Sequence, residues 1–213
     1  MISGYWSALF LLVTSILLAT GWKPLIAPDV KPGALAALCL VWTGMFALPL
    51  WWSPPGAERL DIHAAAVLIA AIGVRELWRT EEEGSRIYLL FCAVMLGALW
   101  GSLRILYARD PMMHLFDPGL DAPIICGLLG GALASAVRQQ FGLVAAGAFA
   151  GELWAGWKQE AVVSAHVGSA EWRDGICVAI AFAALSAAAG KGLRSMARKR
   201  TGRLQERGGG TSP

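Results

Sequence analysis

Residues 87–106 read IYLLFCAVMLGALWGSLRIL and contain one charged side chain, Arg104. An α-helix needs roughly 20 apolar residues to cross the hydrocarbon core of a bilayer. Six other apolar segments of this chain meet or approach that length, so we predict an all-α, polytopic transmembrane helical bundle of about seven helices. The other six segments are Trp6–Thr20, Gly33–Trp52, Ile62–Trp78, Pro123–Val137, Phe141–Trp157 and Gly175–Ala189.

Composition supports a membrane protein with one structural unit. Hydrophobic residues make up 56% of the chain and charged residues 15%, against about 25% charged residues in soluble domains. The connecting loops are too short for a second domain, so we expect residues 1–190 to form the bundle and residues 191–213 a basic, disordered cytoplasmic tail. The first segment lacks the positive start of a signal peptide and predicts a retained helix.

The basic residues predict an orientation, because cytoplasmic loops carry an excess of Lys and Arg. The tail holds seven basic residues, which predicts a cytoplasmic C-terminus. Counting back through seven helices predicts an N-terminus outside the cell. With this threading, 13 of the 18 basic residues fall inside. We therefore expect a multi-pass protein of the cell membrane.

Two segments weaken the count of seven. Ile62–Trp78 has a short apolar run before Arg75 and Glu76, and it predicts a tilted, re-entrant or short helix. Pro123–Val137 is short and rich in glycine. If one of them does not cross, the N-terminus moves to the cytoplasm.

Pairs of glycines four residues apart recur in the fourth, fifth and sixth segments. Such spacing lets helix backbones approach closely in lipid. We expect these glycines to pack helices within one chain, with homodimerisation as the alternative. The pairs are Gly97 with Gly101, Gly127 with Gly131, and Gly147 with Gly151.

Many of the ten tryptophans lie near the ends of the predicted helices. Indole rings favour the level of the lipid headgroups, where the ring is apolar and the N–H is hydrated. We therefore interpret these residues as interfacial anchors. They are Trp6, Trp22, Trp51, Trp52, Trp78, Trp100, Trp157 and Trp172.

Glu152 is the one carboxylate well inside an apolar segment. Ionisable groups inside a membrane are costly and mark functional sites. The threading places Glu152 at a depth similar to that of Arg104, so we favour a structural ion pair between them. The alternatives are access of Glu152 to the outer interface without a partner, and a role in handling protons or cations.

All three histidines fall on the predicted outer side, together with several aspartates. Histidine and carboxylate groups can bind zinc or another divalent metal, but no HxxxH or HExxH spacing is present. We expect ordinary interface residues, with a metal or polar cluster as the alternative. The residues concerned are His63, His114, His166, Asp110 and Asp117.

The tail is expected to contact anionic lipid headgroups, which attract basic residues near the membrane surface. It has no interleaved aromatic residues, so we do not expect nucleic-acid binding. The remaining expected partners are the bilayer itself and a second copy or another membrane protein. The residues for headgroup contact are Arg194, Arg198, Lys199, Arg200 and Arg203.

The first helix also suggests a family. Gly4-Tyr5, followed by an apolar helix that ends in Leu18-Ala19-Thr20-Gly21-Trp22, resembles the start of YphA-like membrane proteins of spore-forming Gram-positive bacteria. That family is functionally uncharacterised. The resemblance therefore implies a location in the cell membrane and transfers no catalytic residues.

Three classes of function remain open. We favour a non-catalytic membrane component of the assembly or scaffold type, because no Walker A, GxGxxG, GxSxG or Cys/His catalytic pattern occurs and no cofactor is implied. A small transporter or channel that uses Glu152 as an intramembrane proton or cation site is the first alternative. A membrane enzyme with an outer His/Asp site is the second, although the sequence favours no enzymatic activity.

Overall fold

The computed structural model describes residues 3–22, 31–55, 60–80, 83–110, 112–113, 115–134, 136–157 and 165–208. This part of the chain is mostly helical, which confirms the predicted class, and each of its seven helices overlaps one of the predicted apolar segments. The helices are α1 (Tyr5–Ala19), α2 (Pro32–Ala47), α3 (Ala64–Trp78), α4 (Glu83–Arg109), α5 (Asp121–Leu133), α6 (Val137–Trp157) and α7 (Ala170–Gly208), and three short strands accompany them, β1 (Trp51–Trp52), β2 (Leu60–His63) and β3 (Ala165–Val167).

Two helix boundaries differ from the predicted segments. The segment Gly33–Trp52 is not helical throughout, since α2 ends at Ala47 and Leu48 is extended, with φ −117° and ψ 118°. Leu48 precedes Pro49, and the proline ring disfavours helical dihedrals in the residue before it. The segment Ile62–Trp78 begins as strand, so that α3 has only 15 residues.

The three strands form one small mixed sheet in the order β1, β2, β3. β1 pairs with β2 in antiparallel register, with Trp51 opposite His63, and β2 pairs with β3 in parallel register, with Asp61 opposite His166. The sequence analysis did not predict this sheet. Its three strands are short and two of them lie about a hundred residues apart, so that no local alternation of apolar and polar residues indicates them.

The helices pack closely through the predicted glycine pairs, which confirms their role within the chain. A Cβ atom at Gly101 would lie 2.6 Å from the carbonyl oxygen of Gly151, so α4 and α6 touch backbone to backbone. Gly127 and Gly131 of α5 face Ala179 and Ala183 of α7 in the same way. Small residues permit this approach in a solvent as apolar as lipid.

The bundle has two distinct ends. The end that carries the β-sheet, called the sheet end below, also holds the start of α1, the C-terminal ends of α4 and α6, and the start of α7. At the opposite end Glu76 of α3 lies 3.6 Å from Arg138 and 3.7 Å from Arg79. The charged groups of the described residues are thus gathered at the two ends of a largely apolar bundle.

Two of the described helices are long and apolar enough to cross a membrane, judged by length and composition. They span Ser85–Arg109 and Ala170–Leu193, and shorter apolar helices cover Tyr5–Leu17, Gly33–Gly44 and Asp121–Leu133. The last helix continues to Gly208, and so includes residues 191–208 of the segment predicted to be disordered. That stretch contains Lys, Arg, Leu, Gln, Glu and Met, all of which favour helix.

Candidate functional site

A buried carboxylate lies between two helices near the sheet end. Glu152 of α6 has a side chain that is only 4% exposed. Its Oε1 atom accepts a hydrogen bond from the indole Nε1 of Trp100 at 3.1 Å and lies 3.1 Å from Nε of Arg104. The structure therefore brings together the two residues singled out in the sequence, and it adds a neutral donor to them.

The helix contact explains why these groups meet. Trp100 and Arg104 are four residues apart on α4, so they project from the same face of the helix. A Cβ atom at Gly151 would lie 2.8 Å from Cβ of Trp100, which means that the glycine makes room for the indole ring. The close approach of α4 and α6 thus places the next residue, Glu152, within reach of both donors.

A second carboxylate reaches Arg104 from the last helix. The Nη1 atom of Arg104 donates to Oε1 of Glu171 at 3.1 Å, and the Glu171 side chain is 60% exposed. Arg104 itself is 21% exposed. The guanidinium therefore connects a buried carboxylate on α6 with an exposed one on α7, and it joins three helices by charge.

Two aspartates order the chain around this ion-pair network. Asp174 of α7 accepts hydrogen bonds from the backbone N–H groups of Gly4 and Ser7, at 2.8 and 2.7 Å. Asp121, at the start of α5, accepts from the backbone N–H groups of Leu115 and Phe116. Each buried carboxylate thus fixes a chain segment that would otherwise leave its backbone donors without partners.

Next to Arg104 the sheet end contains an open polar cavity of about 300 Å³. Side chains of Arg104, Asp117, Glu171 and Asp174 line it. Asp117 accepts a hydrogen bond from the backbone N–H of Gly119 at 2.8 Å, which forms a tight turn at the rim. The cavity thus combines one guanidinium with three carboxylates.

The residues of the predicted outer His/Asp cluster have separate partners. His63 is buried at the start of α3, where Nδ1 accepts from Ala65 N and Nε2 lies 2.8 Å from the carbonyl oxygen of Leu48. His166 instead lies 2.9 Å from Asp61 across β2 and β3. Asp110 accepts from the N–H of Met112.

Asp117 lies in the polar cavity beside Arg104, and His114 lies outside the described residues. Within the described part of the chain, no three His, Cys, Asp or Glu residues are grouped where they could hold a metal ion. The side chains of Arg194, Arg198, Lys199, Arg200 and Arg203 are also outside the described part.

Sequence reasoning missed three residues of this region. Trp100 was interpreted as an interfacial anchor, but it is 2% exposed and bonded to Glu152. Its spacing of four residues from Arg104 was the signal that it shares a face with the arginine. Glu171 and Asp174 gave no signal, because they meet Arg104 and Ser7 across 67 and 167 residues.

A comparison with known protein families gives a match. The family described as YphA-like integral membrane protein matches residues 55–208, well over half of the chain. The suspected family is therefore confirmed, although Gly4–Trp22, which suggested it, lies outside the matched region. No curated protein and no solved structure matches the chain.

Proposed function

The chain belongs to the YphA-like integral membrane protein family, and we propose that it is a non-catalytic component of the cell membrane that serves in assembly or as a scaffold. We propose that the bundle crosses the membrane seven times, with the N-terminus outside and the C-terminus in the cytoplasm. The sheet end would then face outward, and the basic tail would contact anionic headgroups on the inner leaflet.

One observation carries the scaffold proposal, namely the way in which Glu152 is held. Its carboxylate is nearly fully buried, it accepts from Trp100, and it is paired with Arg104 where glycines let α4 and α6 pack closely. A buried ion pair with a further hydrogen bond fixes one arrangement of the helices, since removing either partner would leave a charge uncompensated in a medium of low dielectric. A fixed outer surface suits a protein that other proteins assemble on.

The seven-span threading allows for short helices that pack on longer ones. α3 and α5 contain 15 and 13 residues, about 22 and 20 Å of rise, so neither covers the whole bilayer alone. α3 packs on α6 at Gly73 and Gly142, and α5 packs on α7. Short helices and non-helical backbone are tolerated at membrane depth where protein, rather than lipid, surrounds them.

A double-mutant cycle tests the structural role of the pair. The variants are Glu152→Gln, Arg104→Gln and their combination, and Glu171→Gln is the control because it removes only the exposed partner. We expect each single variant to lower the thermal midpoint in detergent, and the double variant to lose less than the sum of the two. Strict additivity would contradict an energetic coupling between the two residues.

A small transporter or channel is the second candidate, because one feature favours it. Glu171, Arg104 and Glu152 form a continuous series of charged groups from an exposed position to a buried one, with 3.1 Å between successive atoms. Proton relays in membrane proteins are built from Asp, Glu and His side chains, and Arg104 stays protonated, so Glu152 and Glu171 are the groups of this series that would exchange a proton. Proton flux can be measured with a pH-sensitive dye in proteoliposomes that carry an imposed pH gradient. A flux that is lost in Glu152→Gln would support transport. The scaffold proposal instead expects the same dye response for the wild type and for Glu152→Gln.

A membrane enzyme with an outer His/Asp site remains the third hypothesis. Among the described residues, His63 and His166 are engaged by other partners, and no observation adds to the enzyme hypothesis.

A further inference from the structure

The sheet end carries a short apolar stretch that the bundle does not cover. It lies between Asp110 and Asp117, and its described apolar residues, called the apolar loop below, are Met112, Met113, Leu115 and Phe116. Their side chains are between 59% and 91% exposed, and such a patch marks a contact with a membrane or with another protein. We propose that the apolar loop inserts into the interfacial layer of the lipid leaflet at the sheet end. This inference does not depend on the proposed scaffold role.

The apolar loop lies at the level of the ion-pair network. Two of its N–H groups donate to Asp121 at the start of α5, and residues 117–120, which follow it, line the polar cavity together with Arg104. Arg104 is bonded to Glu171, whose carboxylate is exposed. An exposed charge belongs in water or among lipid headgroups, since its transfer into hydrocarbon is costly. The apolar loop is therefore at the depth of the headgroups.

All four backbone N–H groups of the apolar loop donate to acceptors of the chain itself. The first two donate to the side chain and to the carbonyl oxygen of Asp110, at 3.1 and 3.2 Å. The last two donate to the carboxylate of Asp121. On an ordinary surface loop water would satisfy such groups, whereas backbone that enters lipid needs partners from the protein. This hydrogen bonding prepares the loop for an apolar surrounding.

Two further features favour lipid over a protein as the occupant of this surface. The apolar loop continues an apolar face of the bundle, since Leu106 in the last turn of α4 is also exposed. Arg109, at the end of that helix, is exposed as well, and a long basic side chain beside lipid extends its charge to the headgroups. A protein that docked by adding a strand would need free N–H donors, and the four residues of the loop offer none.

Fluorescence quenching tests whether the apolar loop lies in lipid or in water. A bimane probe is attached to Phe116→Cys in the full chain, in a Cys39→Ala background, because the other three cysteines are buried. The protein is reconstituted in vesicles of phosphatidylethanolamine and phosphatidylglycerol, and the quencher is either bromine on the acyl chains or iodide in the water. Ser53→Cys is the matched control, because Ser53 is exposed at the same end and donates to Asp61.

We expect the probe at position 116 to lose most of its quenching by iodide and to lie about 5–10 Å into the headgroup and acyl boundary, as interfacial segments do. The probe at position 53 should be quenched by iodide instead. Equal iodide quenching at the two positions would place the loop in water and overturn the proposal. Phe116 is exposed, so its replacement should preserve the fold, and Leu115→Cys provides a second reporter if Phe116→Cys does not fold by circular dichroism.

Photo-crosslinking in cell membranes identifies what covers the apolar loop. A benzophenone amino acid replaces Phe116 in one variant and Ser53 in the other, and mass spectrometry identifies the adducts. We expect phospholipid adducts at position 116 and a loss of them at position 53. Adducts at position 116 with a second copy of the chain or with another protein would refute insertion into lipid and make the loop a protein contact. Equal lipid labelling at both positions would also refute it, because the loop would then have no contact of its own.

Discussion

Asp174 of α7 accepts a 2.7 Å hydrogen bond from the backbone N–H of Ser7 and thereby caps the first helix from the last one. The same carboxylate accepts from Gly4 N at 2.8 Å, and Gly4 has φ 93°, which a residue with a side chain rarely adopts. The N-terminal N–H groups of a helix have no partner within that helix. Here the cap comes from a residue 167 positions away, and it fastens α1 to the bundle.

Replacing Asp174 by Ala should therefore loosen the start of α1. Loss of a helix cap costs about 0.5–2 kcal/mol, and here Ser7 is fully buried, so its N–H would be left without an acceptor. We expect faster amide hydrogen exchange at residues 4–7 and a lower thermal midpoint in detergent. The control is Asp110→Ala, which removes the acceptor of one N–H in an exposed segment. If the two variants changed hydrogen exchange and the thermal midpoint equally, the capping role of Asp174 would be contradicted.

Two adjacent glycines of α5 should respond to alanine with opposite signs. A Cβ at Gly131 would overlap the carbonyl group of Ala183, so Gly131→Ala must push α5 and α7 apart, at a cost of about 1–3 kcal/mol. At Gly130 the nearest atom to a new Cβ would be Cγ2 of Val144, at 3.5 Å, an ordinary contact. Gly130→Ala should then stabilise the helix by about 0.5–1 kcal/mol.

Thermal unfolding of both variants in the same detergent checks this contrast. The two substitutions add the same methyl group to neighbouring positions of one helix, so that differences in helix propensity or detergent binding cancel. A Gly131→Ala variant as stable as Gly130→Ala would mean that α5 and α7 are not in backbone contact.

The sequence was informative where the relevant signal is local. Hydropathy located the seven helices of the described residues, and the glycine spacing of four located the contact between Gly101 and Gly151. The depth of Glu152 relative to Arg104 followed from helix rise and threading alone. These features depend on periodicity along one helix, which the residues themselves carry.

Features formed between distant segments left no such signal. The sheet pairs Asp61 with His166, and Glu171 reaches Arg104 from a helix that begins 61 residues after α4 ends. The prediction for the histidines shows the same limit. His63 was grouped with outer polar residues, but its ring is buried and contacts the backbone N–H of Ala65 and the carbonyl oxygen of Leu48. Whether a side chain at a helix end turns outward or inward depends on what the rest of the chain places there.

The indole of Trp100 should stabilise the buried carboxylate in a way that a phenyl ring cannot. Trp100→Phe keeps most of the apolar ring but removes the Nε1 donor, and a hydrogen bond to a charged group contributes about 1.5–3 kcal/mol. We expect a matching loss of stability, and a smaller loss when Glu152 is already Gln. Trp157→Phe, at an 81% exposed position, should leave the thermal midpoint unchanged. A Trp100→Phe variant that behaves like Trp157→Phe would show that the indole N–H contributes nothing to holding Glu152.

The two described histidines of the sheet end should differ sharply when replaced. His63→Ala removes the cap on Ala65 N and the contact with the Leu48 carbonyl, so we expect a loss of about 1–2 kcal/mol from the cap alone. His166, which is half-exposed and lies 2.9 Å from Asp61, should contribute less than about 1 kcal/mol, because even a charged pair at the surface contributes no more than that. The measurement is thermal unfolding of the wild type, His63→Ala and His166→Ala, each with and without a chelator. It distinguishes a structural role of each histidine from a role in binding a metal ion. A midpoint that falls on chelation in the wild type but not in His63→Ala would contradict the capping role and indicate that His63 binds a metal ion.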